Sequence, residues 1–368
     1  MNYPQYNNQY QYYNTPPVQQ PQQFVQPAPQ PPVMPPVPPV DPVEVKRNEE
    51  ETAMRKRFNT IGLMLLIAVV VFSVFASVLS EIYKYISTGF TLPASLDSIP
   101  DNLLNGLANS AIFGIAGLVF IKILKTEPSE ALIFKKVGFI KLCGLVAIGF
   151  SVSMLSNLLT SLFINNIYTF GVDLNINLDS PVSNSPVEII IYLLSTALVP
   201  AFSEEILFRG AILSGLRKYG DAFAVFVSSL LFGLFHGNFV QIPFAFIVGI
   251  ILGFTVVYTN SMLPAILIHM SNNAYAVITD VMYSNAESWG ISESLIDLAN
   301  YGFVILVALI TIIAVAVIAK RDKKFMYLNK YEGLVDVKTR NKLMMTRPTI
   351  IIATVLLVGE SLLILLAL

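Results

Sequence analysis

Cysteine occurs once in the 368 residues, tryptophan once and histidine twice. A solitary Cys143 excludes an internal disulfide framework and a thiolate-based zinc site. Within its apolar run it reads as a buried small hydrophobe. Charge is equally scarce: Asp, Glu, Lys and Arg make up 13%, about half the share in soluble globular chains. Most of the chain therefore cannot face water. Its 23 basic and 24 acidic residues leave a net charge of −1, which gives no electrostatic footprint for a nucleic-acid partner.

The first 57 residues are a different material. They hold 13 of the 22 prolines and no Lys or Arg before Lys46, so they lack the apolar content that offsets chain entropy. They are expected to form a disordered Pro/Gln/Tyr-rich tail on the cytoplasmic side. Stretches such as Pro32-Val-Met-Pro35 suit a partner that binds proline-rich motifs, although a plain solubilising extension explains them with less. The tail is too long to precede a cleaved signal peptide, so the first apolar stretch reads as a retained signal anchor.

Hydrophobic residues make up 54%, and they gather into nine stretches near the length a ~30 Å hydrocarbon core requires. These are residues 61–79, 103–121, 139–163, 187–216, 222–237, 242–258, 262–279, 303–319 and 349–368. The fifth and sixth are short and nearly contiguous, so a re-entrant hairpin would leave seven crossings with the same orientation. An all-α polytopic transmembrane bundle of about eight to nine membrane segments follows. Its parts are the tail 1–57, helices in 58–186, a core segment in 187–280, and 281–368 with a basic cytoplasmic loop. With the amino terminus inside, 21 of the 23 basic residues fall on the inner side, as the positive-inside rule requires. A multi-pass cell-membrane protein with a cytoplasmic amino terminus is expected.

Polar residues inside such stretches are costly and therefore mark function. Three sets stand out. Glu204-Glu205-Ile-Leu-Phe-Arg209 places Glu205 and Arg209 on one helix face, so Arg209 can neutralise Glu205 while Glu204 stays available to activate water. Phe232-Gly-Leu-Phe-His236 and His269-Met-Ser-Asn-Asn273 each set their outer residues four apart on one face, so His236, His269 and Asn273 are expected to share a cavity with Glu204. At ~1.5 Å per residue, Glu204 and His236 lie roughly 20 Å into the membrane and His269 roughly 14 Å. Taken singly, each set has a blander reading: an inter-helix hydrogen bond for a histidine, packing for Phe232, glue for Asn272 and Asn273. Together they use every histidine in the chain.

At these residues the chain resembles the CPBP family of intramembrane proteases, which contains the CAAX prenyl proteases and the bacterial Abi (bacteriocin-processing and immunity) proteins. Motifs of the form EExxxR, FxxxH and HxxxN match Glu204/Glu205/Arg209, Phe232/His236 and His269/Asn273. The resemblance covers about residues 187–279. It implies an endopeptidase in which Glu204 activates water with help from His236, while His269 and Asn273 stabilise the oxyanion. Glu204, Glu205, His236, His269 and Asn273 are then the candidate catalytic set, with Arg209 and Phe232 as support. The Glu-Glu-Ile-Leu-Phe-Arg-Gly form looks closer to the bacterial branch, which implies a bacterial plasma membrane.

Ligand counting leaves zinc open, because Glu204, His236 and His269 would supply a His₂Glu set. That choice removes Glu204 as base, and no His-Glu-x-x-His string occurs, so a metal-free, cofactor-free route is favoured. The expected partners are membrane lipid and a peptide or protein substrate, itself suited to lipid association. Two other readings stand beside the protease: a proton- or cation-coupled transporter using the same polar residues as a relay, and a non-catalytic immunity or scaffold protein.

Overall fold

A computed structural model describes residues 41–89, 101–169 and 185–367. The elements are helices: α1 (Pro42–Gly89), α2 (Asp101–Ile123), the short α3 (Pro128–Ala131), α4 (Phe139–Thr169), the long composite α5 (Pro186–Tyr219), α6 (Asp221–Leu234), α7 (Gln241–Thr259), α8 (Leu263–Ser284), α9 (Glu293–Arg321), α10 (Val337–Met345) and α11 (Pro348–Ala367). Each of the nine apolar stretches is helical over its described residues except for 235–237 and Met262. The chain is a multi-pass helical membrane protein.

Two expectations change. Among the described residues six helices are long and apolar enough to cross a membrane, and the bent pair Val337–Met345 with Pro348–Leu363, angled at 60°, makes a seventh. The stretch 222–237 forms only the 14-residue α6, about 21 Å long and short of a ~30 Å core. Polar His269, Asn272, Asn273 and Asp280 keep the 22-residue α8 out of the apolar set. Instead α6 packs antiparallel to α7, which is itself long and apolar enough to cross, so the two stretches do not form the alternative re-entrant pair.

The boundary at residue 57 also moves. Residues 1–40 of the expected tail lie outside the described residues, but the chain is helical from Pro42. Polar composition there conceals a stripe: Met54, Phe58, Ile61 and Leu65 recur at helical spacing and are all buried. Glu50 fastens this extension to the loop before α10 by accepting from Tyr331 Oη and the Leu334 amide, both at 2.8 Å. Cys143 is another correction, since it is exposed on α4. An apolar outer helix face turned to lipid needs no protein cover, so membrane proteins do not share the soluble rule that thiols are buried.

The core gathers around α5. Leu207, Phe208, Ala211, Ile212, Leu213 and Leu216 are all buried, enclosed by α1, α2, α6 and α7. Close approach depends on small residues. A Cβ at Gly117 of α2 would lie 2.8 Å from the Leu207 amide nitrogen, and one at Gly249 of α7 would lie 3.0 Å from Ser229 of α6. The first contact brings α2 against the segment that carries both glutamates, and the second packs α7 on α6.

Candidate active site

Two π-helical turns interrupt α5, at Leu194–Leu198 and Ile206–Leu213, on either side of Glu204 and Glu205. Such turns are rare and concentrate at functional sites, because widening the helix changes which backbone groups are paired. Pro200 contributes here. It lacks the N–H that would serve the Thr196 carbonyl four residues back, and that carbonyl accepts a hydrogen bond from Asn273 Nδ2 of α8 at 3.0 Å. The Asn273 amide is oriented from its other side too, since Asn272 Nδ2 donates to Asn273 Oδ1 at 3.1 Å.

The polar residues sit in two layers. In the inner layer Glu205 and Arg209 are wholly buried and paired at 2.8 Å. Arg209 also donates through Nη2 to the Gly249 carbonyl at 3.1 Å, and its guanidinium lies 4.4 Å from the centre of the Phe232 ring. These contacts occupy the planar fork and one π face, which is what distinguishes arginine from lysine at a buried site. His269 belongs to this layer as well. Its Nδ1 is 3.1 Å from Glu205 Oε1 and its Nε2 is 3.8 Å from Glu204 Oε2, so the imidazole stands between the two carboxylates. The carboxylate of Glu205 can only accept, so the proton at that contact is on Nδ1.

The outer layer faces a cavity of about 310 Å³. Glu204 and His236 supply its titratable edge together with the neutral amide of Asn273, Ser195 and Thr196 add hydroxyls, and Phe72, Phe113, Phe208, Phe232 and Phe235 form an aromatic wall. His236 is not within a helix as its spacing suggested. The chain leaves α6 after Leu234, and Gly237 follows with φ +67°, so the ring sits in the turn beyond the helix. Its Nδ1 is 2.8 Å from the Phe232 carbonyl. A carbonyl only accepts, so Nδ1 carries a proton and the neutral ring presents Nε2 as an acceptor.

Of the residues expected to share one cavity, Glu204, His236 and Asn273 line it; His269 does not, although its Nε2 lies 3.8 Å from Glu204 Oε2, and the Glu205–Arg209 pair packs beside it. Phe232 joins the layers. Its ring contacts those of His236 and His269 edge-on, at centroid distances of 4.8 and 5.7 Å, besides covering Arg209. The zinc set of Glu204, His236 and His269 is not assembled: among the described residues no three His, Cys, Asp or Glu side chains are grouped to hold a metal ion. Sequence reasoning missed Thr196, Gly249 and the reach of Phe232. Only Pro200, four residues after Thr196, was a visible signal.

Residues 186–275 match the family described as type II CAAX prenyl endopeptidase Rce1-like. That match contains all three motifs and the polar residues of both layers, while Phe72 and Phe113 of the aromatic wall lie outside it. This core is similar to the CPBP family. The chain is 28% identical over 146 residues to the membrane-embedded CAAX protease MroQ of Staphylococcus aureus (strain USA300), an alignment spanning 38% of this chain and 58% of that relative. No solved structure matches it. The matched segment thus takes in α5 to the middle of α8, while α1, α2, α4, α9, α10 and α11 lie outside it.

Proposed function

We propose that the chain is an intramembrane endopeptidase that hydrolyses a peptide bond in a membrane-associated peptide, with Glu204 as general base. One observation carries the reading. Glu204 and the acceptor Nε2 of His236 face the same small, largely aromatic cavity as the amide of Asn273, so two proton acceptors and one donor meet where a carbonyl can enter.

In this scheme Glu204 takes one proton from water while His236 Nε2 accepts a hydrogen bond from the other hydrogen, which aims the oxygen lone pair. The water oxygen bonds to the carbonyl carbon, and the electron pair moves to the carbonyl oxygen. Asn273 holds that oxyanion through the N–H not given to Thr196. On collapse the C–N bond breaks, and protonated Glu204 returns its proton to the leaving nitrogen. His269 has a changed part: it does not line the cavity and acts as a positioning residue between the carboxylates, where the motif likeness alone implied an oxyanion donor. Arg209, with Glu205, anchors the other side of that imidazole.

MroQ carries a CAAX-protease name, and the family description includes prenyl endopeptidase. A substrate with an apolar or lipid-modified segment suits an entrance within the bilayer. The charge asymmetry supports a cytoplasmic amino terminus. The test is cleavage of a membrane-peptide library by the full chain in detergent or nanodiscs. Wild type is expected to cleave and Glu204→Gln to fall by about 10²–10⁴ in turnover with unchanged melting behaviour. Equal cleavage by the variant would remove Glu204 from its role. Loss of cleavage on chelation, restored by zinc, would replace the metal-free scheme.

A further inference from the structure

A second cavity, of about 490 Å³, lies away from the active site, and its chemistry is of a different kind. It is lined by five basic side chains and two carboxylates. One carboxylate is already committed: Asp221 takes Arg217 Nε at 3.0 Å on one oxygen and both the backbone and side-chain nitrogens of Asn329, at 2.9 and 2.7 Å, on the other. The partners of Arg217 are completed by Asn260 Oδ1 at 2.9 Å. Arg57, Lys125, Lys135 and Lys218 remain, and among the described residues none of the four is in an ion pair. Arg57 donates to the Leu124 carbonyl at 2.6 Å, and it stands near enough to Lys218 for their like charges to oppose each other. Thr126 adds a buried hydroxyl oxygen that has no hydrogen-bond partner among the described residues.

The position of these groups is as informative as their charge. Arg57 precedes the apolar part of α1, Lys125 follows α2, Lys218 closes α5, and Asn260 follows α7. Three apolar helices end around this cavity and the apolar part of α1 begins beside it, so it opens at the level where hydrocarbon gives way to headgroups. Concentrated cations with hydroxyl and amide donors among them, in a concave site at that level, match a phosphate group in charge and in hydrogen-bonding capacity. We propose that this cavity binds a phosphate-bearing anion, the headgroup of an anionic membrane lipid being the source its location favours. Lys125, Lys135 and Lys218 neutralise the phosphate, Arg57 forms the inner wall, and Glu130 limits affinity by like-charge repulsion.

The full-length protein in neutral detergent at low ionic strength is titrated with short-chain phosphatidylglycerol, phosphatidylcholine of the same chain length, and inorganic phosphate, with heat of binding and melting temperature as readouts. Saturable binding of phosphatidylglycerol is expected, weakened about ten- to thirtyfold by Lys125→Gln with Lys218→Gln and strengthened by Glu130→Gln. The opposite signs of the two changes separate a specific site from loss of fold, and helical circular dichroism checks each variant. Displacement of the lipid by inorganic phosphate would identify the free anion as a second ligand of the same site. Phosphatidylglycerol binding that phosphate cannot displace would assign the site to lipid alone, and saturable phosphate binding without lipid binding would assign it to the free anion. The proposal is overturned if neither probe saturates, if phosphatidylcholine binds equally, or if both variants bind as wild type does.

Discussion

Asn273 of α8 donates to the Thr196 carbonyl of α5 at 3.0 Å, at the one position where a proline four residues later withholds the helix's own amide. Backbone chemistry in one helix thus sets the pose of an amide in another. Asn273→Ala is expected to lower turnover by about 10²–10³, the usual cost of one oxyanion donor. Steady-state kinetics should show the loss mainly in kcat. Pro200→Ala supplies a competing amide, and through one weakened hydrogen bond it should lower kcat about two- to tenfold. An unchanged rate in Asn273→Ala would remove it from the oxyanion site.

The inner layer makes a stability prediction. Removing Arg209 leaves Glu205 as a buried, unpaired charge, which costs about 3–5 kcal/mol. Arg209→Lys should recover only part of this, because an ammonium cannot both fork to Glu205 and Gly249 and stack on Phe232. Combining Arg209→Met with Glu205→Gln should be milder than Arg209→Met alone, as both charges then leave together. Denaturant or thermal unfolding in detergent reads all three.

Gly249 should tolerate no side chain cheaply. An added Cβ lies 3.0 Å from the Cα and Cβ of Ser229 and 3.2 Å from Phe232, so Gly249→Ala separates α6 from α7 at about 1–3 kcal/mol. Gly302→Ala on α9 meets nothing within 4 Å and serves as the comparison. It is expected to leave stability unchanged or slightly raised, since alanine favours helix. Similar melting temperatures for the two variants would contradict the close packing.

Asp322, just beyond α9, accepts from Tyr258 Oη at 2.7 Å and from Lys141 Nζ at 2.9 Å. The Tyr258 hydrogen bond, then Lys141, hold its carboxyl down at about 2. The folded value lies below the unfolded one, so the carboxylate's contribution is fully present above about pH 4 and is lost as pH falls through about 2. Asp322→Asn should melt earlier than wild type at pH 7, and the gap should close towards pH 2. A gap independent of pH would show that charge is not its cause.

The three polar motifs were legible because intramembrane histidines and carboxylates are rare, and residues four apart in a helix share a face. That regularity put Glu205 beside Arg209, and the two are paired. It misplaced His236, because Gly237 ends the helix and places the imidazole in a turn. It put His269 beside Glu204, and the two lie 3.8 Å apart, but the imidazole is not part of the cavity lining. The helical start at Pro42 escaped notice for a related reason: average polarity hid a stripe that only its packed partners reveal.

Sequence alone determined that this chain is a multi-pass helical membrane protein with a polar site shared among α5, the end of α6 and α8. Hydrocarbon excludes unpaired backbone and unpaired charge, and both constraints can be read from residue order. Tertiary structure alone decided which polar groups face open space and which are locked together behind it. That division depends on π turns, a proline's missing amide and glycine contacts between helices, none of which has a period in sequence.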